Sequence, residues 1–378
     1  MLLKWIFGAL AFVSLGITLW QWLVARRFPL HQREGDTGFA PPVTLLKPLK
    51  GCDAHTRRCL QSWLAQNYSG PVQILFGVAS AGDPVCALVR ELIAAHPQCD
   101  AQLLICAESP GANAKVSTLV QLERHSKHDF LLVSDADVRV PPDYLANVVA
   151  PLRDPGVGAA FSFYRLANPA NLAMRWEAVA TNADFWSQVL MGHSLTPVDF
   201  VLGAVMVTRR QRLNEIGGFN ALVDYLADDY QLGHQIARRG HRIAICPVVV
   251  ECWDAPMDGR EVWAHQLRWA RTIRVCQPLP YFCSIISNAT LWPLLWFAVA
   301  PSALTLVVAC VCASFRMFVA VSLQTRLTQT QGHGFDDWLA PVKDLLQVAI
   351  WTLAFLGNHV EWRGQRYRVL PGGKLLKV

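Results

Sequence analysis

The chain has 378 residues and a formal net charge of +6, with 53% hydrophobic and only 16% charged residues, where a soluble domain carries about 25% charged. That deficit excludes a wholly soluble globular protein. The basic clusters (Arg26-Arg27, Arg209-Arg210, Arg238-Arg239, Arg268 to Arg274, Arg363 to Arg368) are short and none is interleaved with aromatics on a recognisable nucleic-acid module, which argues against nucleic acid and leaves anionic headgroups or a phosphorylated substrate as partners.

At the start, Leu2 to Val24 is apolar apart from Lys4, Ser14, Thr18 and Gln21, and at about 1.5 Å per residue it can cross a hydrocarbon core roughly 30 Å thick. A cleaved signal peptide is disfavoured, because the run is too long and Trp20-Gln21-Trp22 sits where small residues precede a cut. Residues 1–25 are therefore expected to be a retained anchor. Arg26-Arg27 after it, against Lys4 before it, predicts a cytosolic domain from residue 30 onward.

Residues 30–275 have the composition of an ordinary globular domain with one core. Val43 to Leu46 reads as a strand, "RRCLQSWLAQ" as a helix, "VQILFGVAS" as a buried strand and "PVCALVRELIAAH" as an amphipathic helix. "AQLLICA" is a short strand, "KVSTLVQLERH" a helix, and "DFLLVSDADV" a strand running into acids. The alternation predicts βαβ units and an α/β fold with a mostly parallel sheet. Ligands of such sheets bind beyond the carboxyl ends of the strands, which puts Ser80, Asp83, Asp135 and Asp137 on one rim. From Val157 the pattern is mixed, with strands at "VGAAFSFY" and "FVLGAVMVT" and a helix at "RQRLNEIGGF" ended by Gly217-Gly218.

Residues 276–360 form a membrane region. Ile285 to Leu323 exceeds one span and fits two short ones, with Arg316 near the break. A third run, Val342 to Phe355 continuing to Val360, carries Lys343 and Asp344 and is either a span or an interfacial helix. The count is two or three spans. The basic tail, 361–378, argues for a cytosolic end. The eleven Cys show no paired metal spacing and the eleven His no HxxxH or HxH cluster, so zinc is not expected.

Four stretches can carry chemistry. Asp135 and Asp137, two apart at a strand end, suit a hard divalent cation that neutralises a diphosphate, or are a solvated turn. Asp228-Asp229, after an apolar Tyr225-Leu226 lead, supply either a general base for an acceptor hydroxyl or a helix cap. Asn113 and Lys115 open a helix beside the Pro110-Gly111 turn, where a Lys meets a phosphate or faces solvent. "WAHQLRWART" (Trp263 to Thr272) is an aromatic and basic stretch beside the membrane region, either part of a site or an interfacial collar.

The order of these stretches resembles the membrane-bound GT-A glycosyltransferases of the ceramide glucosyltransferase family, family 21. The resemblance is carried by "LLKPLKG" (Leu45 to Gly51), "NAK" (Asn113 to Lys115), "SDADVRV" (Ser134 to Val140), "YLADDY" (Tyr225 to Tyr230), "HQLRW" (His265 to Trp269) and "WRGQRYR" (Trp362 to Arg368). "LADDY" and "HxLRWARTIR" resemble more closely still the bacterial relatives associated with hopanoid synthesis, which implies a bacterial inner membrane. The resemblance implies a Rossmann-like GT-A sheet, a nucleotide-sugar donor, usually a UDP-sugar, a divalent metal (Mn²⁺ or Mg²⁺), a membrane-lipid acceptor and inversion at the anomeric carbon.

By position, the family's metal-associated aspartate is Asp135, with Asp137 completing an Asp-x-Asp. The catalytic base is Asp229, beside Asp228, and the Arg-Trp pair is Arg268-Trp269. Two departures stand out. Ser80 occupies the place of the first donor-site acid, with Asp83 the nearest carboxylate, and His265 stands where many relatives have Gln or Arg. A processive polysaccharide synthase, which needs more spans and typically has Thr-Glu-Asp in place of Ala227-Asp228-Asp229, and a non-catalytic lipid-binding scaffold are the competing expectations.

Overall fold

The computed structural model describes residues 1–36, 38–330, 338–362 and 365–377. They fall into two compact units. A sheet unit comprises Leu30–Asn168, Pro197–Ala255 and Gly373–Val378; a helical unit comprises Met1–Pro29, Pro169–Thr196 and Pro256–Gly372. The stretch 30–275 is thus divided: residues 169–196 and 256–275 belong with the helices of the two ends.

The sheet unit is built on β1 (Val43–Leu49), β2 (Val72–Val78), β3 (Asp100–Ile105), β4 (Phe130–Ser134), β5 (Val138–Arg139), β6 (Val157–Leu166), β7 (Val205–Arg209) and β8 (Arg242–Cys252), in the order β3-β2-β1-β4-β7-β6-β8-β5. Strands β3, β2, β1 and β4 are parallel and joined by the helices Thr56–Leu64, Val85–Ala95 and Ala114–Arg124. Strand β7 enters antiparallel to both β4 and β6, making a mixed α/β sheet. Every residue of β1 is buried, as expected of a parallel strand covered on both faces. The chain leaves β1 to one side for β2 and β3 and returns on the other as β4, so the crevice above β1 and β4 is a topological switch point.

One strand expectation changes and two strands are added. The predicted strand "FVLGAVMVT" begins only at Val205, because the backbone of Phe200 and Val201 packs so closely on Gly233 that a Cβ there would lie 2.5 Å from it. Strand β5, after the acids, pairs antiparallel with β8. The eleven-residue β8 has no counterpart among the predicted strands; Pro247 masks it and sits where the β6–β8 register shifts between Ser162 and Tyr164, a bulge being the position a strand interior allows a proline.

In the helical unit, Leu2–Arg27 and Ala303–Thr328 are each long and apolar enough to cross a membrane. The pair Pro278–Ser287 and Leu291–Val299, bent by 56°, is a third candidate if it forms one span. The buried residues of the first helix are Gly8, Ala11, Ser14, Thr18, Gln21 and Ala25, while Leu2, Trp5, Phe12 and Leu19 face outward. Small and polar inside with large and apolar outside is the pattern of helices packed in lipid.

The expected break near Arg316 is displaced. The chain breaks at 300–302, and Arg316 lies midway along Ala303–Thr328. Its charge is met by Asp344 and Asp184, at 2.9 and 2.7 Å, and Lys343 pairs with the same two carboxylates, all four side chains being buried. Lys343 and Asp344 on Leu339–Phe355 therefore serve an internal ion network.

Candidate functional site

Strand β4 ends at Ser134, and Asp135 and Asp137 follow on the turn into β5. Backbone bonds fix the turn: Asp135 N–H donates to Ala204 O (3.1 Å), and Trp253 N–H to Asp137 O (3.0 Å). Beneath it lies Lys47, wholly buried in a strand that is apolar but for Thr44. Its ammonium donates to Ser134 Oγ and to Asp135 O and lies 5.3 Å from the Trp63 ring. Burial pulls the Lys47 pKa down to about 8 against the pull of the Asp137 charge. Burial pushes Asp137 up to about 7, helped by the negative charges of Asp135 and Asp254.

The helix Ala114–Arg124 supplies the next layer. Asn113 is its N-cap, accepting from Val116 N–H, while its amide donates to Tyr225 O (2.8 Å) and Asp228 Oδ1 (3.2 Å). Lys115 is buried and bridges two acids, with Nζ 2.7 Å from Asp135 Oδ1 and 3.6 Å from Asp228 Oδ2. Burial opposes its charge, but Asp135, Asp228 and Asp229 outweigh burial and hold its pKa above the usual lysine value.

Asp228 and Asp229 open the helix Asp228–Ala237. Asp228 is buried and its Oδ2 has no hydrogen-bond donor among the described residues, so it serves as a counter-charge to Lys115. Asp229 is half-buried and accepts from Tyr230 N–H at 2.7 Å. Burial, followed by the Asp228 charge, raises its pKa to about 6 against the opposing effect of Lys115. Its carboxylate lies against Gly203, where a Cβ would sit 2.9 Å from Oδ2. The structure thus brings Asn113, Lys115, Asp135, Asp228 and Asp229 together at the switch point.

Ser80 and Asp83 lie on the same rim, beyond β2. Both Asp83 oxygens are engaged: they accept from Gly51 N–H (3.1 and 3.0 Å), and Oδ1 also from Val85 N–H. Ser80 is exposed and accepts from Gly82 N–H. Asp83 is therefore committed to holding the loops after β1 and β2.

His265, Arg268 and Trp269 are on Gly259–Cys276 of the helical unit. His265 Nδ1 is 2.6 Å from Oε1 of the buried Glu177, which also accepts from Gln266 at 2.9 Å. The Trp269 ring lies 4.9 Å from the His265 ring and 6.1 Å from Phe185. Arg268 is half-buried. Of the "WRGQRYR" stretch, Arg363 and Gly364 lie outside the described residues.

Lys47, Gly203 and Glu177 are additions that the sequence did not assign. A lysine inside "VTLLKPL" and a glycine inside "VLGAV" were the available signals, the second because glycine in a strand pattern marks a close approach.

The sequence pattern that defines glycosyl transferase family 21 matches residues 6–375. This chain belongs to glycosyl transferase family 21. Among similar proteins, ceramide glucosyltransferase 1 of Caenorhabditis elegans is 26% identical over 227 residues, 58% of this chain and 47% of that protein. A ceramide glucosyltransferase of Candida albicans is 36% identical over 121 residues, 29% of this chain and 22% of its own length. The match thus spans less than half the length of either relative. Among solved structures, a mannosyltransferase of Pyrobaculum calidifontis in complex with GDP-Man and Mn²⁺ superposes with a TM-score of 0.56 at 22% identity, covering 91% of this chain and 99% of that one. That likeness establishes the GT-A fold for this family 21 chain.

Proposed function

We propose that the chain is an inverting glycosyltransferase that moves one sugar from a nucleotide-sugar, UDP-glucose or UDP-N-acetylglucosamine, to a hydroxyl of a membrane lipid of ceramide-like or hopanoid type. The observation that carries this reading is Asp229: a half-buried carboxylate with a pKa raised to about 6, lodged against Gly203 at the switch point of a GT-A sheet. A base for a lipid hydroxyl works best when its pKa lies near the operating pH. The helices able to cross a membrane agree with an acceptor drawn from a bilayer, with the sheet unit on the cytosolic side.

In the transfer, Asp229 takes the proton of the acceptor hydroxyl as its oxygen attacks the anomeric carbon and the bond to the nucleoside diphosphate breaks. Lys115 faces the negative charge that grows on the leaving group, a charge-stabilising role of the kind that lowers such barriers. Arg268 and Trp269, on the helical unit, keep the substrate-binding role that the family resemblance implies. With Asp83 holding two loops, Ser80 is the side chain at that rim offered to the donor base.

The acids fit a divalent cation. The charges of Asp135 and Asp254 raise the proton affinity of Asp137, so hard oxygen donors are concentrated at this turn. Among the described residues no group of three or more His, Cys, Asp or Glu is placed to hold a metal; an ion held here would take one or two carboxylates and complete its shell with water and substrate phosphate. Mn²⁺ or Mg²⁺ on Asp135 and Asp137 would supply Lewis-acid neutralisation of the diphosphate.

Membranes incubated with a panel of radiolabelled UDP-sugars, followed by mass spectrometry of the labelled lipid, test the proposal. The expected product is a lipid carrying a single sugar, formed with Mn²⁺ or Mg²⁺ and lost in excess EDTA. A polymeric product, or full labelling in EDTA, contradicts it.

A further inference from the structure

We propose that residues 373–375 act as a strap that positions the Asp228-Asp229 loop for transfer. This rests on the assignment of Asp229 as the base. The loop 223–226, which leads into the two acids, is held from two sides. On one side are Gly111 to Asn113. Asn113 N–H donates to Val223 O (2.7 Å), the Asn113 amide to Tyr225 O (2.8 Å), and Ala112 N–H to Asp224 Oδ1 (3.0 Å). Gly111 is so close to Val223 that a Cβ would lie 2.5 Å from it.

On the other side is a segment almost 150 positions away in the chain. Leu226 N–H donates to Gly373 O at 3.0 Å and Leu375 N–H to Asp224 O at 2.6 Å. These two bonds flank an antiparallel bridge between Tyr225 and Lys374. The Lys374 ammonium lies 5.5 Å from the Tyr225 ring, and Leu375 is 6% exposed. The strap thus adds a short strand to the lead of the helix Asp228–Ala237, which begins two residues after Leu226.

The physical consequence is specific. Without the strap, the Leu226 N–H and the Asp224 carbonyl lose their partners, and the loop is fixed on the Asn113 side alone. The rim at Asp83 and Ser80 keeps all its bonds, and the turn at Asp135 and Asp137 keeps its backbone bonds to Ala204 and Trp253, linked to the loop only through Lys115 and Asp228. The strap therefore acts first on where the base sits, so its loss is expected to act on kcat more than on the donor KM. A displacement on the order of 1 Å at a reacting group costs up to about 100-fold in rate.

The test uses the full chain in membranes or detergent, with whichever labelled donor of the panel the wild type turns over. Leu375→Pro deletes the N–H that Asp224 O accepts, and Leu375→Asp makes the buried side chain polar. The exposed neighbour, in Leu376→Asp, is the control, and Leu375→Ile the conservative rescue.

Hydrogen–deuterium exchange of 222–228 is expected to rise in Leu375→Pro and Leu375→Asp while that of β1 and β4 stays at the wild-type level. In both variants kcat falls about 10- to 100-fold with donor KM within about twofold. Leu376→Asp and Leu375→Ile behave like wild type. Unchanged exchange, unchanged kcat, or an equal loss in Leu376→Asp overturns the strap. Asp229→Asn run alongside separates the two claims: turnover surviving it removes the base itself, whereas turnover lost there but kept in Leu375→Pro removes only the strap.

Discussion

Asp229 accepts a proton most readily when ionised, and burial beside Asp228 brings its pKa to about 6. Turnover is therefore present above that pH and lost as the pH falls through it, and a kcat/KM profile is expected to show an acidic limb with a slope of one near pH 6. A profile flat to pH 5 would remove Asp229 from the rate. His265 makes a second test. Its Nδ1 is one of two donors to the buried Glu177, and a buried acceptor that loses a donor costs about 1–3 kcal/mol. His265→Gln keeps an amide within the same helix turn and is expected to stay near wild-type stability, whereas His265→Leu loses about 1–3 kcal/mol, measured as a drop in Tm in detergent. Equal Tm values in the two variants would make His265 a spacer. These residues also mark what could be read ahead of the fold. Asp135 and Asp137 announced themselves by following an apolar run, and Asp229 by following an apolar lead. Glu177 gave no such signal because its partner lies 88 residues away, and only packing of the helices Leu172–Val179 and Gly259–Cys276 pairs the two.

The helices of the membrane region show the same division. Their existence followed from length and apolarity, since Leu2–Arg27 and Ala303–Thr328 both stand out at the level of composition. The placement of Arg316 did not, because a lone arginine in an apolar run reads as a break until its counter-charges are known. Those counter-charges come from a π-helical segment, Ala180–Phe185, and from Leu339–Phe355, elements far apart in the chain. Arg316→Met leaves Asp184 and Asp344 to share Lys343, and removal of one partner of a buried pair costs about 3–5 kcal/mol. Thermal unfolding in detergent is expected to show that loss, with partial recovery when Asp344→Asn is added. A loss within about 0.5 kcal/mol of wild type, the range of ordinary surface substitutions, would mean the network contributes little to holding these helices. In the sheet, the βαβ half was legible because its strands are short apolar runs bounded by turns. Strand β8 was hidden by Pro247, which the bulge opposite Ser162 and Tyr164 accommodates.

Family membership and the GT-A sheet support glycosyl transfer, and the constellation at the switch point is where we propose that it takes place. Lys115 ties Asp135 to Asp228, so the carboxylate assigned to the metal and the loop assigned to the base form one electrostatic unit. Substitution of Asp229 therefore addresses the central claim more directly than any change to the metal site, since Asn is nearly the same size and cannot accept the proton. The decisive measurement is sugar transfer to membrane lipid by wild type and Asp229→Asn at equal expression, together with donor affinity for both. Transfer is expected to fall about 10²- to 10⁴-fold while donor affinity stays within about threefold. Comparable labelling of lipid by the two proteins would contradict the assignment of Asp229 and, with it, the proposed route of transfer.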